Sequence, residues 1–575
     1  VTVAGPSDER ALASLLAASG DEELAQLFAA RRLAPSTPAQ DFFDVAATLL
    51  SDASVDRALT RLAAPELAAL ASAQTEPVAP PLRAALASRA LLDADGVPFQ
   101  AVRSRLAERA GSEAFASPEV SPLAPADPQS VAAAAERAFE QVASLADILL
   151  AAASAPLSRT GAGAVSATER RRLVDDGAVA SAEQLEDLIV LGADAGLLSD
   201  EDRSWQVTDA APEWLDAGTS ERWGQVATAY VRALPEALRT PEGGFLPPPA
   251  WQGVYRLDPE WPEQAAALVR RGVLWGVLAE DGLLPWTAQL SSTGAVDTRS
   301  LAEALPPEVD KIYLQADLSA ISPGPLAPRL EQRLRRMAAR ETRAQASTYR
   351  FTAESLTAAM SGGESAESVH AFLSGISLTG IPQPLAYLID ATAARHGAIR
   401  VGTDTATGRT VVRSASPQLL ATIAVDQSLR PVGLVEHEGA LVSRAGRDAV
   451  YWSLVDARYP VVAVDENDQL ERVVRRATRQ AVTEPPPSEQ YGALIAALRG
   501  AQSGDADAAW LERELEQAVR ARAAIDVTVR LPDGSTRVFA LEATGLGGGR
   551  LRGLDRAADV ERTLPMTSIV SVSPR

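Results

Sequence analysis

Apolar positions recur along this chain at two spacings, and the spacing changes with position. Through residues 1–116 they fall at three- and four-residue steps, as on one face of a helix. Leu12, Leu15 and Leu16 begin one face. Val55, Leu59 and Leu62 follow a capping Asp52 or Ser54, and Leu67, Leu70, Leu82, Leu86, Leu91 and Leu92 continue the pattern. This predicts an all-helical N-terminal domain. Pro118, Pro122, Pro125 and Pro128 then mark a linker, because proline breaks helices and extends the chain.

Residues 129–240 alternate helical and short apolar runs. One helix runs through Phe139, Val142, Leu145 and Leu149, and a short one spans Ser166 to Val174. Ser181 caps a third, with Leu185, Leu188, Ile189 and Leu191 inward. Leu197-Leu198 and Trp205-Gln206-Val207 follow as strands around a polar turn. The order predicts a winged helix. A further proline-rich connection runs from Pro235 to Pro249. Residues 250–304 carry Trp251, Trp261, Trp275 and Trp286. Such a stripe could stack bases, but Leu268, Leu274 and Leu283 beside it favour the core of a small helical or winged module.

Residues 305–401 read as one α+β unit. A strand at Ile312-Tyr313-Leu314 leads past Asp317 to a turn at Ser322–Pro325, and Pro328 sits where a helix begins. The spacing predicts a helix to about Arg343 with two stripes. Leu326, Leu330, Leu334 and Met337 face a core. Arg329, Arg333, Arg336, Arg340 and Arg343 form a second stripe, with Glu331 and Glu341 available to pair with it. A strand at Tyr349–Phe351, helices around Leu356 (capped by Thr352), Phe372 and Leu388, a stop at Gly397 and a strand at Ile399–Val401 complete the unit.

Over 402–482 the order is strand, helix, strand, strand, helix, strand, the ferredoxin-like pattern. A further helix carries Arg472, Arg475, Arg476 and Arg479. Pro485-Pro486-Pro487 sets a boundary. Residues 489–575 read as a helix around Trp510 and Leu515 followed by five short strands, with a hairpin signal at Pro532-Asp533-Gly534, forming a small β-barrel. The fold class is multidomain α+β, mostly helical.

The run Ile312–Asp317, Pro323–Pro325, Thr348–Thr352, Pro382–Leu385 and Arg395-His396-Gly397 resembles the helicase-associated domain of actinobacterial proteins, itself similar to the N-terminal domain of XPB-type helicases. The resemblance implies an XPB N-terminal-like domain over 305–401 and a cytoplasmic protein linked to DNA transactions. Gly548–Gly553 and Glu561–Leu564 resemble the WYL-type barrels of bacterial regulators, although the Trp-Tyr-Leu signature is absent.

The net charge of −21 argues against nucleic acid until its distribution is read. Residues 1–304 hold 23 arginines against 43 acidic residues; residues 305–575 hold 31 basic against 32 acidic. The second half can therefore approach a phosphate backbone with a local arginine face. The third helix of the winged-helix segment brings Glu183, Glu186 and Asp187 and no basic residue. It is ill-suited to reading bases and better suited to binding protein. Arg170-Arg171-Arg172 is the basic cluster of that segment.

Enzyme chemistry finds little support. There is no cysteine, and Lys311 is the only lysine. No phosphate-binding Gly-Lys-Ser/Thr loop is present. Asp21-Glu22-Glu23 reads as an acidic first helical turn. His370, His396 and His437 are far apart and form no helical metal pair. Gly545–Gly549 precedes a strand rather than a helix. No apolar run of membrane-spanning length occurs, and Val1-Thr2-Val3 does not open a signal peptide. No cofactor, membrane or small-molecule substrate is expected. The first expectation is a non-catalytic helicase-associated protein contacting DNA, with or without a separate XPB-type helicase, in repair or transcription. The second is a protein-interaction scaffold without DNA contact. The third is a WYL-type transcription regulator.

Overall fold

A computed structural model of the chain describes residues 7–574, except for 74–75, 81, 110–114, 116–119, 122, 241, 280–281, 343–345, 406, 466–469, 472–484, 502–505, 533 and 557. The second arginine helix expected around Arg472–Arg479 lies outside the described residues. The molecule is multidomain and α+β, with helices around several small sheets.

Helices from Asp8–Ala18 to Gln100–Arg109 build the N-terminal unit on Leu12, Phe28, Phe42, Leu49 and Leu67. The same core takes in Tyr491, Leu494, Ile495 and Leu498 of the helix Pro487–Ala501, and Trp510 of the helix Ala506–Ala521. Tyr491 donates its hydroxyl to the carbonyl of Leu33 at 2.8 Å, and Arg513 spans Asp41 and Asp44 at 3.0 and 3.1 Å. The two ends of the chain thus share one interior.

A second core spans Ala134 to Leu301. It joins the long helix Pro128–Ser154 and the three-stranded antiparallel sheet, in which Ser204–Val207 lies between Leu157–Ser158 and Leu198–Glu201, to the tryptophan-rich residues beyond 250. Trp214, Trp223, Trp251, Trp275 and Trp286 are fully buried there. The indole of Trp223 donates to the carbonyl of Trp275 at 2.6 Å, and that of Trp275 donates back at 3.1 Å. Rings with both faces packed and N–H groups satisfied are core; they have no face left for a base.

The central unit has a four-stranded antiparallel sheet in the order Tyr313–Leu314, Ser319–Ser322, Ser347–Arg350, Ala339–Thr342. Helices Pro328–Met337, Ala353–Ser361, Ala366–Ile376 and Gln383–Arg395 complete it. Thr352 caps the second of these, and Gly397, at φ +78°, follows the last. The first helix is shorter than its spacing predicts. It stops at Met337, Ala338 turns extended, and residues 339–342 pair with Ser347–Arg350. The strand satisfies a sheet edge whose N–H and C=O groups a longer helix would leave unpaired.

Ile399–Thr403 does not close this unit. It pairs antiparallel with Thr410–Ser414 and parallel with Val461–Val464, inside the next sheet. That six-stranded sheet carries helices Pro417–Val425 and Arg447–Asp456 on one face. Without Ile399–Thr403 and the two-residue edge strand Leu470–Glu471, the four remaining strands and two helices follow one another as βαββαβ in sequence; Ile399–Thr403 lies between Thr410–Ser414 and Val461–Val464.

The C-terminal strands do not close into a barrel. They form an open sheet in the order Val560–Pro565, Arg550–Asp555, Thr536–Gly547, Ala524–Arg530, Ile569–Pro574. Among the described residues its two edge strands share no ladder; the short turn Met566–Ser568 links them. Leu511 and Leu515 of the helix Ala506–Ala521 cover the apolar face with Val527, Leu541 and Leu551. A sheet whose face a helix buries has no need to close on itself. Gly548 and Gly549, both at positive φ, make the tight hairpin before Arg550, so the glycine run serves a turn.

Candidate nucleic-acid interface

The helix Pro328–Met337 carries the arginines singled out in the sequence. Leu334 and Met337 are buried in the core of the central unit, with Leu330 packed against it. A second face docks onto the tryptophan-rich unit. Gln332 donates to the carbonyl of Leu215 and, at 3.1 Å, to Asp216, and Arg335 donates to Asp147. Asp147 is buried on the helix Pro128–Ser154. The third face holds the arginine stripe.

The five arginines have different fates. Arg333 grips Glu364 with two hydrogen bonds of 2.8 Å and lies 4.5 Å above the ring of Phe372. The bond to Arg333 holds the Glu364 carboxyl below its usual pKa and raises that of Arg333. Arg340 lies on the strand Ala339–Thr342, not on the helix. It donates to Asp147 and, at 3.1 Å, to Glu331. Burial opposes its charge, yet Asp147 and Glu331 outweigh that and set its pKa above the usual arginine value. Glu341 pairs with Arg350 instead of the stripe. Arg343 lies outside the described residues. Arg329 and Arg336 remain exposed, and among the described residues neither forms a hydrogen bond or ion pair. The structure therefore leaves two exposed guanidinium groups about two helical turns apart, with Arg336 also near enough to Glu364 to help hold its pKa down.

Two participants escape the spacing argument. Arg335 falls off the stripe. Asp147 lies within the apolar run Leu145–Leu150, and a lone carboxylate there is the signal that a buried cation awaits it.

Several of the other basic and acidic features are engaged internally. Asp187 on the third helix of the 129–240 segment pairs with Arg270 at 2.7 Å, and Glu183 reaches the same arginine at 3.3 Å. Glu186 accepts from the backbone of Val165. Arg172 pairs with Glu169 at 2.7 Å. Lys311 donates to the carbonyl of Gly375, near the end of the helix Ala366–Ile376, at 2.7 Å. His370 pairs with Asp390, and His396 lies 3.2 Å from the hydroxyl of Ser361. Among the described residues, no three His, Asp or Glu side chains converge as a metal site, and no helix is long and apolar enough to cross a membrane.

Residues 312–438 match a family described as a helicase conserved C-terminal domain. The match contains the arginine helix, the central sheet and the strands through His437, so it spans two of the structural units. It supports a helicase-associated domain at this place in the chain and, in general terms, nucleic acid or DNA-processing partners. No curated protein matches the chain.

Proposed function

We propose that this chain is a non-catalytic, helicase-associated protein of the cytoplasm. It acts beside a separate XPB-type helicase in DNA repair or transcription and touches the DNA backbone through Arg329 and Arg336. The observation that carries the reading is the position of this exposed arginine pair within the residues that match a helicase domain. Two arginines on one exposed helix face neutralise phosphates without reading sequence. The sequence offers no Gly-Lys-Ser/Thr loop to hold a nucleotide, and its one lysine is tied to a carbonyl. We read residues 129–240 as a winged helix of the protein-binding kind, since its acidic third helix is paired with Arg270.

A second reading, a scaffold without DNA contact, is favoured by one observation. Arg333 and Arg340, two of the five stripe residues, hold the protein together rather than face solvent. Binding of labelled single-stranded, duplex and forked DNA over a salt series separates the two. The DNA reading expects binding that weakens as salt rises. It also expects a duplex salt slope about 2 shallower when Arg329→Glu is combined with Arg336→Glu. Equal binding by the double variant removes the stripe as the site, and no binding at low salt leaves the scaffold reading.

A further inference from the structure

A groove on the second core has a lining that, along the long helix, ends at Ser144, about one helical turn before Asp147. It measures about 910 Å³ and runs along the helix Pro128–Ser154. Ala132, Glu136, Phe139 and Glu140 line one side, at helical spacing, and Ser144 extends the same wall. From Ala132 to Ser144 is about 18 Å at 1.5 Å per residue. Val174 and Val179 line the facing wall. Every residue that lines the groove is among those described.

Phe139 is the informative residue. It shares a helix with Val142, Leu145 and Leu149. Those three are buried in the core, whereas Phe139 is only partly buried, stands outside the core cluster and lines the groove. Both walls carry apolar groups, with Ala135 buried on one and Val179 on the other. The charged lining residues are Glu136 and Glu140, both exposed. No arginine lines the groove.

We infer that this groove docks a basic amphipathic helix of a partner protein. Its apolar side chains would lie on Phe139, Ala135 and Val179, and its lysines or arginines beside Glu136 and Glu140. Charge complementarity selects the sign of the partner: the groove is acidic, and it belongs to the half of the chain with 23 arginines against 43 acidic residues. Shape selects a helix. The walls are helices and loops with no free strand edge, and the length suits about three turns laid in parallel. A small polar ligand fits less well, because Gln184 already donates to Gln141 at 2.6 Å and accepts from Ala180 at 2.6 Å. The inference goes beyond the DNA reading and stands whether or not Arg329 and Arg336 touch DNA.

The test uses the full chain without DNA and a fluorescent leucine–lysine peptide with leucines at helical spacing, read by anisotropy. A leucine–glutamate peptide of the same spacing is the control. We expect the basic peptide to bind and the acidic one not to. Glu136→Lys with Glu140→Lys should weaken binding about tenfold or more. Asp209→Lys with Glu213→Lys, which reverses two exposed acids outside the groove, should change it less than about twofold. Phe139→Ala should also weaken binding without lowering Tm, and it serves if the charge reversal disturbs folding. Equal loss in both charge-reversed pairs would reduce the effect to general attraction and overturn the inference. Undiminished binding by the Glu136/Glu140 and Phe139 variants, no binding of the basic peptide, or equal binding of the acidic peptide would also overturn it.

Discussion

Arg340 donates to the carboxylate of Asp147, 193 positions earlier in the chain. Arg335 takes the other oxygen of the same group. One buried carboxylate thus fastens the helix Pro328–Met337 and the edge strand Ala339–Thr342 of the central unit to the long helix of the tryptophan-rich unit. A buried acid flanked by two guanidinium groups is costly to break from one side, because the charges left behind are only partly hydrated. Asp147→Ala should therefore cost about 3 kcal/mol in urea unfolding. Arg340→Met should cost less when Asp147 is already gone, with a coupling of about 1–3 kcal/mol. Additive losses in that double-mutant cycle would show that the contact carries no stability.

The pair Arg333–Glu364 gives the central unit a pH signature. The Glu364 carboxyl stands below its ordinary value of 4.5 because Arg333 donates two hydrogen bonds to it. An unfolded chain loses that partner and binds a proton more readily, so stability rises with pH across the interval between the two pKa values. The contribution is present above about pH 4.5 and is lost as pH falls through the folded value. Glu364→Gln should therefore be less stable than the parent at neutral pH, by about 1–2 kcal/mol. The two should converge toward pH 3. A gap that stays constant from pH 7 to pH 3 would exclude this role for Glu364.

Most element types were legible in the sequence, while their partners were not. The helical spacing of Leu12, Leu59, Leu70 and Leu86, the cap at Thr352 and the stop at Gly397 are local signals, and local geometry follows them, whereas Leu62, Leu91 and Leu92 fall outside the helices and Leu92 bridges to Pro98. The length of the arginine helix is not local. Residues 338–342 are extended because a strand nearby needs a ladder partner, and neither helix propensity nor arginine spacing reports that need. The same holds for Ile399–Thr403, which the preceding Gly397 assigns to either neighbour, and for the barrel, since five short strands specify their alternation and not their closure. For the site, the stripe read correctly as one face of the helix up to Arg336. Which of its members remain free depended on Glu364, Glu331 and Asp147, and no spacing rule links those residues to it.

The joining of the two chain ends predicts an effect at a distance. Leu498 is fully buried, yet the core it enters belongs mainly to residues 12–106. Leu498→Ala removes a large side chain from a close-packed interior and should cost about 2–5 kcal/mol. The loss should appear as faster hydrogen exchange in the N-terminal helices Asp21–Ala30 and Phe42–Leu50, far away in sequence. Exchange that accelerates only within Pro487–Ala501 would mean that the two ends fold separately.

The same junction holds a carboxyl with the opposite pH behaviour. Glu514, on the helix Ala506–Ala521, is buried against the helix Asp8–Ala18, 3.8 Å from Arg10 and beyond hydrogen-bond reach of it. Arg10 spends another of its nitrogens on the carbonyl of Val570, at 3.0 Å. Burial pushes the Glu514 carboxyl up to about 7 from its ordinary 4.5, and the partial attraction of Arg10 does not reverse this. Between those values the folded chain keeps a proton that the unfolded chain has released, so stability falls as pH rises from about 4.5 to about 7 and is level above. The full effect is about 3 kcal/mol, at 1.36 kcal/mol per pH unit. Glu514→Gln, which mimics the protonated form, should match the parent near pH 4 and exceed its stability at pH 8. Urea unfolding at the two pH values checks this, with Glu364→Gln as a background that removes the opposing acid-side slope. If parent and Glu514→Gln keep the same difference at both pH values, Glu514 does not titrate in this interval, and the junction between the chain ends is indifferent to pH.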